Sequence, residues 1–346
     1  MLFAAGCTKE KNTPKPSTAK PISLGLIQSG NNNNKRLFIP ITKIGTQSVS
    51  YYGIFDTGSS GMTMDANGLL PANMVTSSGI AVTGDSVVVN GITITSQQSV
   101  ISFGDKSNST KEYGNLAFAA ITVGDANGNL VLKRVPFFLY YKIIDASGTQ
   151  LPAHATDVFG VGPGTSYASS FIASPLSYNI PETGLANGFR LASVNNLNFN
   201  GTSKYAAGLL KVGLTTADLT ASSFVMYQLT YYNTGGYSPN IPATVTYNGT
   251  STAATVLFDT GTPSVTLIED PKATAGVGNL PANSTVKVIT NQGFTYQYNT
   301  TAGSNLTSVQ NPNNTGDYRT IFSLDFFSNN EFLTDYTNHR IGLKNK

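Results

Sequence analysis

From Arg36 onward the chain alternates short runs of Val, Ile, Thr, Tyr and Phe with Gly, Asn, Asp and Pro. Runs of β-branched and aromatic residues bounded by turn formers predict strands. They fall at RLFIPITKI (36–44), VSYYGIF (49–55), DSVVVNGITIT (85–95), LAFAAITV (116–123), LVLKRVPFFLYY (130–141), FVMYQLTYY (224–232), ATVTYNG (243–249), TVLFDT (255–260) and FTYQYNT (294–300). Asn90-Gly91 and Asn248-Gly249 predict tight hairpin turns, because both residues tolerate positive φ. Helical spacing is confined to short stretches around Tyr167–Ala173 and Asp325–Asn330. The pattern predicts an all-β chain.

The segment before Arg36 has a different texture. Thr8 to Asn34 is rich in Lys, Pro, Ser, Thr and Asn, and ends in the run Asn31–Asn34. Averaged over its length, such a composition predicts a solvated tether. Ala4-Ala5-Gly6-Cys7 resembles the end of a bacterial lipoprotein signal, in which small residues precede the acylated cysteine. That resemblance implies lipidation at Cys7, a membrane anchor, and a body held outside the cytoplasm at the bacterial cell envelope. Residues 1–35 are therefore expected to be a truncated signal and disordered tether.

Charge sharpens this division. The net charge of the 346 residues is +3, yet residues 1–43 hold seven Lys or Arg against one Glu, leaving the remainder at −3. The basic excess belongs to the leader, and the body has neither the charge nor the basic clustering of a nucleic-acid-binding protein. A single Cys excludes a disulfide framework, and two His, His154 and His339, leave little for a zinc site or a Ser/His relay. No metal or other cofactor is expected. Asp325, Glu269 and Asp270 lack the spacing of a calcium loop and are expected to be solvated loop acids. Chemistry in this chain has to run mainly on carboxylates and hydroxyls.

One internal repeat supplies them. GIFDTGSSGMTM (Gly53–Met64) and VLFDTGTPSVTL (Val256–Leu267) align without a gap, sharing Phe, Asp, Thr, Gly and a Thr seven places after the Asp. Each Asp ends an apolar strand and precedes a Gly turn. A lone carboxylate in such a place is costly to bury. Two brought together can share a proton, so that one is an ionised base and the other a neutral acid.

These motifs resemble those of the pepsin-like aspartic peptidases. The resemblance implies that Asp56 and Asp259 are the catalytic pair and that Thr57 and Thr260 lock the two loops together. It also implies that Gly58 and Gly261 form the turns, while Ser59 and Thr262 hydrogen-bond the outer carboxylate oxygens. DVFGVG (Asp157–Gly162), GLLKVG (Gly208–Gly213) and the closing segment Thr320–Leu343 extend the likeness over nearly all of the body. It implies a bilobal double β-barrel with pseudo-twofold lobes, here expected at 36–200 and 201–346. A monomeric endopeptidase working on a peptide or protein between its lobes follows, without a cofactor.

The chain departs from that pattern in its second lobe and in its lid. Ser323 stands where an apolar-apolar-Gly segment is usual, placing a side chain in a tight backbone crossing. The substrate-covering flap is assigned to Phe103-Gly104 in place of Tyr-Gly, with Tyr113-Gly114 the weaker match. Thr63 occupies the position of the Trp that ordinarily holds the flap Tyr, and the chain has no Trp. A peptidase with weakened or retuned turnover is expected. The alternative is a catalytically weak or inactive surface lipoprotein that binds peptide or glycan.

Overall fold

The computed structural model describes residues 19–31, 34–104, 109–221, 223–274 and 278–346. Cys7, and with it the expected lipidation, lies outside the described residues. The regular structure of the described chain is almost all strand, and each strand run read from the sequence contains one or two strands, 224–232 being split into Val225–Gln228 and Tyr231–Tyr232. Of the two stretches with helical spacing, Leu324–Ser328 is a short 3-10 turn. The other is a two-stranded hairpin, Thr165–Ser166 with Ser169–Ala173.

The internal repeat is also a repeat of topology. In the first half, Gln47–Asp56 runs parallel to Val158–Val161, which lies antiparallel to Ser60–Asp65, itself parallel to Gly128–Ile144. In the second half, Thr250–Phe258 runs parallel to Arg319–Phe322, which lies antiparallel to Val265–Glu269, itself parallel to Leu306–Gln310. Each DTG turn thus joins two strands that are separated in the sheet by a strand from about 60 to 100 residues further along the chain. Phe55 and Phe258, immediately before the two aspartates, are fully buried, and they fix the strand ends from which the loops spring.

A shared sheet holds the halves together. Ile22–Ser29, Lys204–Leu214, Ala186–Leu191, Asn330–Asp335, Arg340–Asn345 and Val225–Gln228 are hydrogen-bonded in that order. Ile22–Ser29 also pairs with Arg36–Ile44 and so connects this sheet to the first half. Tyr336 adds a side-chain link, donating to the carbonyl of Val161 at 2.7 Å.

Two sequence expectations change here. The tether does not reach residue 35: ISLGLIQS is a strand whose Leu24 and Leu26 are buried and pair with Leu210 and Ala206. Its apolar alternation was hidden by averaging with the Lys, Pro and Asn around it. The segment is then pinned by Lys35, whose buried ammonium meets the buried carboxylate of Asp325 at 2.5 Å. The expected lobe boundary at 200/201 falls between Ala186–Leu191 and Lys204–Leu214, which pair with each other in the shared sheet. The two repeat units proper are therefore shorter than 36–200 and 201–346.

The loop acids also differ from expectation, since Asp325, Glu269 and Asp270 are all buried. Asp325 pairs with Lys35 and accepts from the Asn305 amide, Glu269 accepts from Gln310 and Thr315, and Asp270 accepts from Tyr247. They are tied into separate networks that hold the second half together.

Candidate active site

The two DTG loops meet. Asp56 and Asp259 are each about nine-tenths buried, at 9% exposure, and the carboxyl of each lies against the glycine of the other's loop. Glycine makes the approach possible. A Cβ on Gly58 would lie 2.5 Å from Cγ of Asp259, and a Cβ on Gly261 would lie 2.6 Å from Cγ of Asp56. Those distances are inside any real contact, so each loop needs glycine to admit the carboxyl of the other.

The threonines that follow the aspartates hold this approach in place. Thr57 Oγ1 donates to the carbonyl of Phe258 at 2.8 Å, and Thr260 Oγ1 donates to the carbonyl of Phe55 at 2.6 Å. Each hydroxyl also accepts from the backbone amide of the opposite threonine, both at 3.0 Å. The arrangement is reciprocal across the pseudo-twofold. Each threonine is buried, so every one of these bonds is made out of reach of water, where an unmade partner is costly.

Hydroxyls and amides complete each carboxylate. Asp56 Oδ1 accepts from the amides of Gly58 and Ser59 at 2.7 and 3.1 Å, and Oδ2 accepts from Ser59 Oγ at 2.6 Å. Asp259 Oδ1 accepts from Gly261 N and Oδ2 from Thr262 Oγ1, both at 2.7 Å. Burial raises the pKa of Asp56 well above the usual carboxylate range, and the neighbouring charge and hydrogen bond of Asp259 raise it further. The donors from Ser59 and Gly58 pull the other way without reversing the shift. The pair therefore holds a proton at pH values where an isolated aspartate has lost it.

Ser323 does not push its loop away. The amide of Asp259 donates to the Phe322 carbonyl at 2.9 Å, and the amide of Leu324 donates to the Thr262 carbonyl at 2.9 Å, so the crossing is closed by backbone bonds. The cost appears elsewhere: Ser323 Oγ is fully buried and has no hydrogen-bond partner among the described residues. In the first half Gly160 occupies the matching strand, where a Cβ would lie 2.6 Å from the carbonyl oxygen of Gly61. Ser323→Ala keeps the accommodated Cβ and removes the orphan hydroxyl. It is expected to stabilise the protein by about 1 kcal/mol in urea denaturation; an unchanged or lower midpoint would show that the hydroxyl is satisfied in solution.

The flap assignment lands on a long hairpin, Ile92–Gly104 with Ser109–Asp125. Phe103 pairs with Thr110 and Gly104 with Ser109, and residues 105–108 between them lie outside the described residues. Phe103 packs on a cluster that includes Ile101, Phe138 and Ile172. Ile172 in turn sits against Gly61, just past the first DTG loop. Tyr113-Gly114 lies back along the returning strand, where Gly114 is pressed against the Leu139 carbonyl.

Two residues that the sequence reading passed over stand beside the site. Glu112, on the returning strand of the flap hairpin, is fully buried and accepts from Thr63 Oγ1 at 3.3 Å and Thr156 Oγ1 at 3.0 Å. The Trp position of the resemblance is thus occupied by a short threonine that reaches the flap strand through a carboxyl. Arg36 places Nη1 3.3 Å from the carbonyl of Gly261. Neither residue is part of a motif, and only the paired strands bring them here. His154, at φ 58°, shares a 2.7 Å contact between Nδ1 and Asp157 Oδ2 and stacks on Tyr51, bracing the segment that leads into Val158–Val161.

No protein-family profile and no curated protein matches this sequence. Solved structures do match in shape. The crystal structure of an aspartic proteinase from Irpex lacteus superposes with a TM-score of 0.59 at 16% identity, covering 93% of this chain and 97% of that one. Conglutin gamma, a unique basic 7S globulin from lupine seeds, superposes at 0.58 with 13% identity, covering 94% of this chain and 96% of that one. Basic 7S globulin from soybean gives 0.55 at 12% identity, covering 94% and 97%. At these identities the likeness shows the fold alone: this all-β chain has the pepsin-like fold, which an aspartic proteinase and two 7S globulins share.

Proposed function

We propose that the protein is an aspartic endopeptidase with Asp56 and Asp259 as its catalytic dyad. One observation carries this reading: two buried carboxyls are brought together by matched loops and held there by reciprocal threonine locks. A pair that retains one proton has an ionised member to take a proton from water and a neutral member to polarise the scissile carbonyl. The water oxygen adds to the carbonyl carbon, giving a tetrahedral intermediate. Return of a proton to the amide nitrogen lets the C–N bond break and restores the singly protonated pair. Thr57, Thr260, Gly58 and Gly261 set the loop geometry, and Ser59 and Thr262 stabilise the outer oxygens. Phe103 and Gly104 form the covering hairpin, and an extended peptide adds to it by strand pairing.

The purified protein is expected to cleave unstructured protein substrates from about pH 3 to 6, and a statine-type transition-state mimic is expected to inhibit it. Tight binding of the mimic with no cleavage at any pH would favour the alternative, a peptide-binding protein on the same fold. Absence of both would remove the dyad from the function.

A further inference from the structure

Arg36 opens the strand Arg36–Ile44 and is half-buried beside the second DTG loop. Its Nη1 donates to the carbonyls of Gly261 and Lys35, both at 3.3 Å, which is long for such bonds. Gly261 is the residue whose amide binds Asp259 and whose missing side chain admits Asp56. The negative charges of Asp259 and Asp56 both act on the guanidinium, against a larger effect of burial that makes its charge harder to keep.

The charge nevertheless has no partner of its own. Arg190, Arg319 and Arg340 each pair with a carboxylate, whereas among the described residues none lies within 4.0 Å of Arg36. Arg134 also lacks one, but it is exposed and lies over Phe118. Nε and Nη2 of Arg36 make no hydrogen bond to any described residue. A guanidinium that is half-desolvated, with a free fork of donors, is matched by a planar carboxylate. The dyad does not fill that role, since its oxygens already accept from amides and hydroxyls of their own loops.

We propose that Arg36 is a specificity-determining residue that receives the side-chain carboxylate of an Asp or Glu in the peptide substrate. The proposal rests on the peptidase reading above, and it adds a preference that the dyad alone does not impose. The test uses internally quenched peptides, capped at both ends, in pairs that differ only by Glu or Gln at one position, scanned along the peptide. At one position the wild-type protein is expected to favour Glu over Gln by about 10- to 100-fold in kcat/KM. In Arg36→Gln that ratio is expected to fall to within about threefold of unity, and Arg36→Lys, which keeps the charge but loses the fork, is expected to be intermediate. A ratio taken within one variant cancels changes in overall turnover or folded fraction. Equal cleavage of Glu and Gln peptides by wild type at every position overturns the proposal and leaves the peptidase reading intact, as does a Glu preference that survives in Arg36→Gln.

If no peptide is cleaved, the same Glu and Gln pairs are measured by calorimetric binding to wild type and Arg36→Gln. A Glu preference lost in the variant then supports the arginine site while the peptidase reading fails. Absence of such a preference overturns the arginine site too.

Discussion

Asp259→Asn is expected to lower peptide cleavage by at least about 10³-fold while leaving the fold in place. The substitution is nearly isosteric, and the amide oxygen can still accept from Gly261 N while Thr262 Oγ1 turns to accept. What is lost is ionisation. An Asp-Asn pair cannot alternate between one base and one acid. Part of the upward shift of Asp56 comes from the charge and hydrogen bond of Asp259, so in the variant its pKa should move down toward the ordinary range, with the effect of burial remaining. In the wild type the alkaline limb of kcat/KM should accordingly lie well above an ordinary aspartate pKa, because activity needs the shared proton that Asp56 retains. Cleavage by purified Asp259→Asn at the wild-type rate would refute the dyad.

Glu112 should make the protein markedly more stable in acid. Burial pushes its pKa up to about 8, with the charges of Asp157 and Asp65 adding to the rise and the hydroxyls of Thr156 and Thr63 opposing it. Tyr140 stands in the same cluster, donating to Asp157 at 2.7 Å, and His154 contacts the other Asp157 oxygen. Among the described residues Glu112 Oε2 has no hydrogen-bond partner, so ionisation would leave a buried negative oxygen uncompensated. The unfolded chain releases this proton near pH 4.5 and the folded chain only near 8. Between those values the unfolded state binds fewer protons, and stability therefore falls as pH rises. Full passage through the window is worth on the order of 5 kcal/mol.

Glu112→Gln removes the ionisation and should flatten the decline between about pH 4.5 and 8, with stability at pH 4 close to wild type. Urea denaturation at several pH values reads this directly, and parallel slopes for the two proteins would refute the assignment.

How much of this was legible in the chain depended on how local the cause was. The strand runs, the two Asn-Gly hairpins and the paired DTG turns are set by neighbours in sequence, through alternation, β-branching and the demands of tight turns. Ile22–Ser29 obeys the same alternation, yet its eight residues vanish into a polar average unless read on their own. The hairpin at Thr165–Ala173 reads as weakly helical because its short strands carry too few residues to establish a period of two. The accommodation of Ser323 was not legible, since a clash depends on how far the crossing strand stands off, which no residue identity encodes.

The sequence by itself determined that two matched aspartates end apolar strands, and that one Cys and two His leave little for thiolate or imidazole chemistry. Only the tertiary structure decided that the two carboxyls meet, that Thr63 reaches the flap hairpin's returning strand through Glu112, and that Arg36, beside Gly261, has no carboxylate partner among the described residues. The division has a physical cause. Strand and turn preferences are written over a few adjacent residues, whereas the burial and fields that set a carboxyl's proton affinity come from segments up to about 200 residues apart in the chain, which meet only when the sheets close.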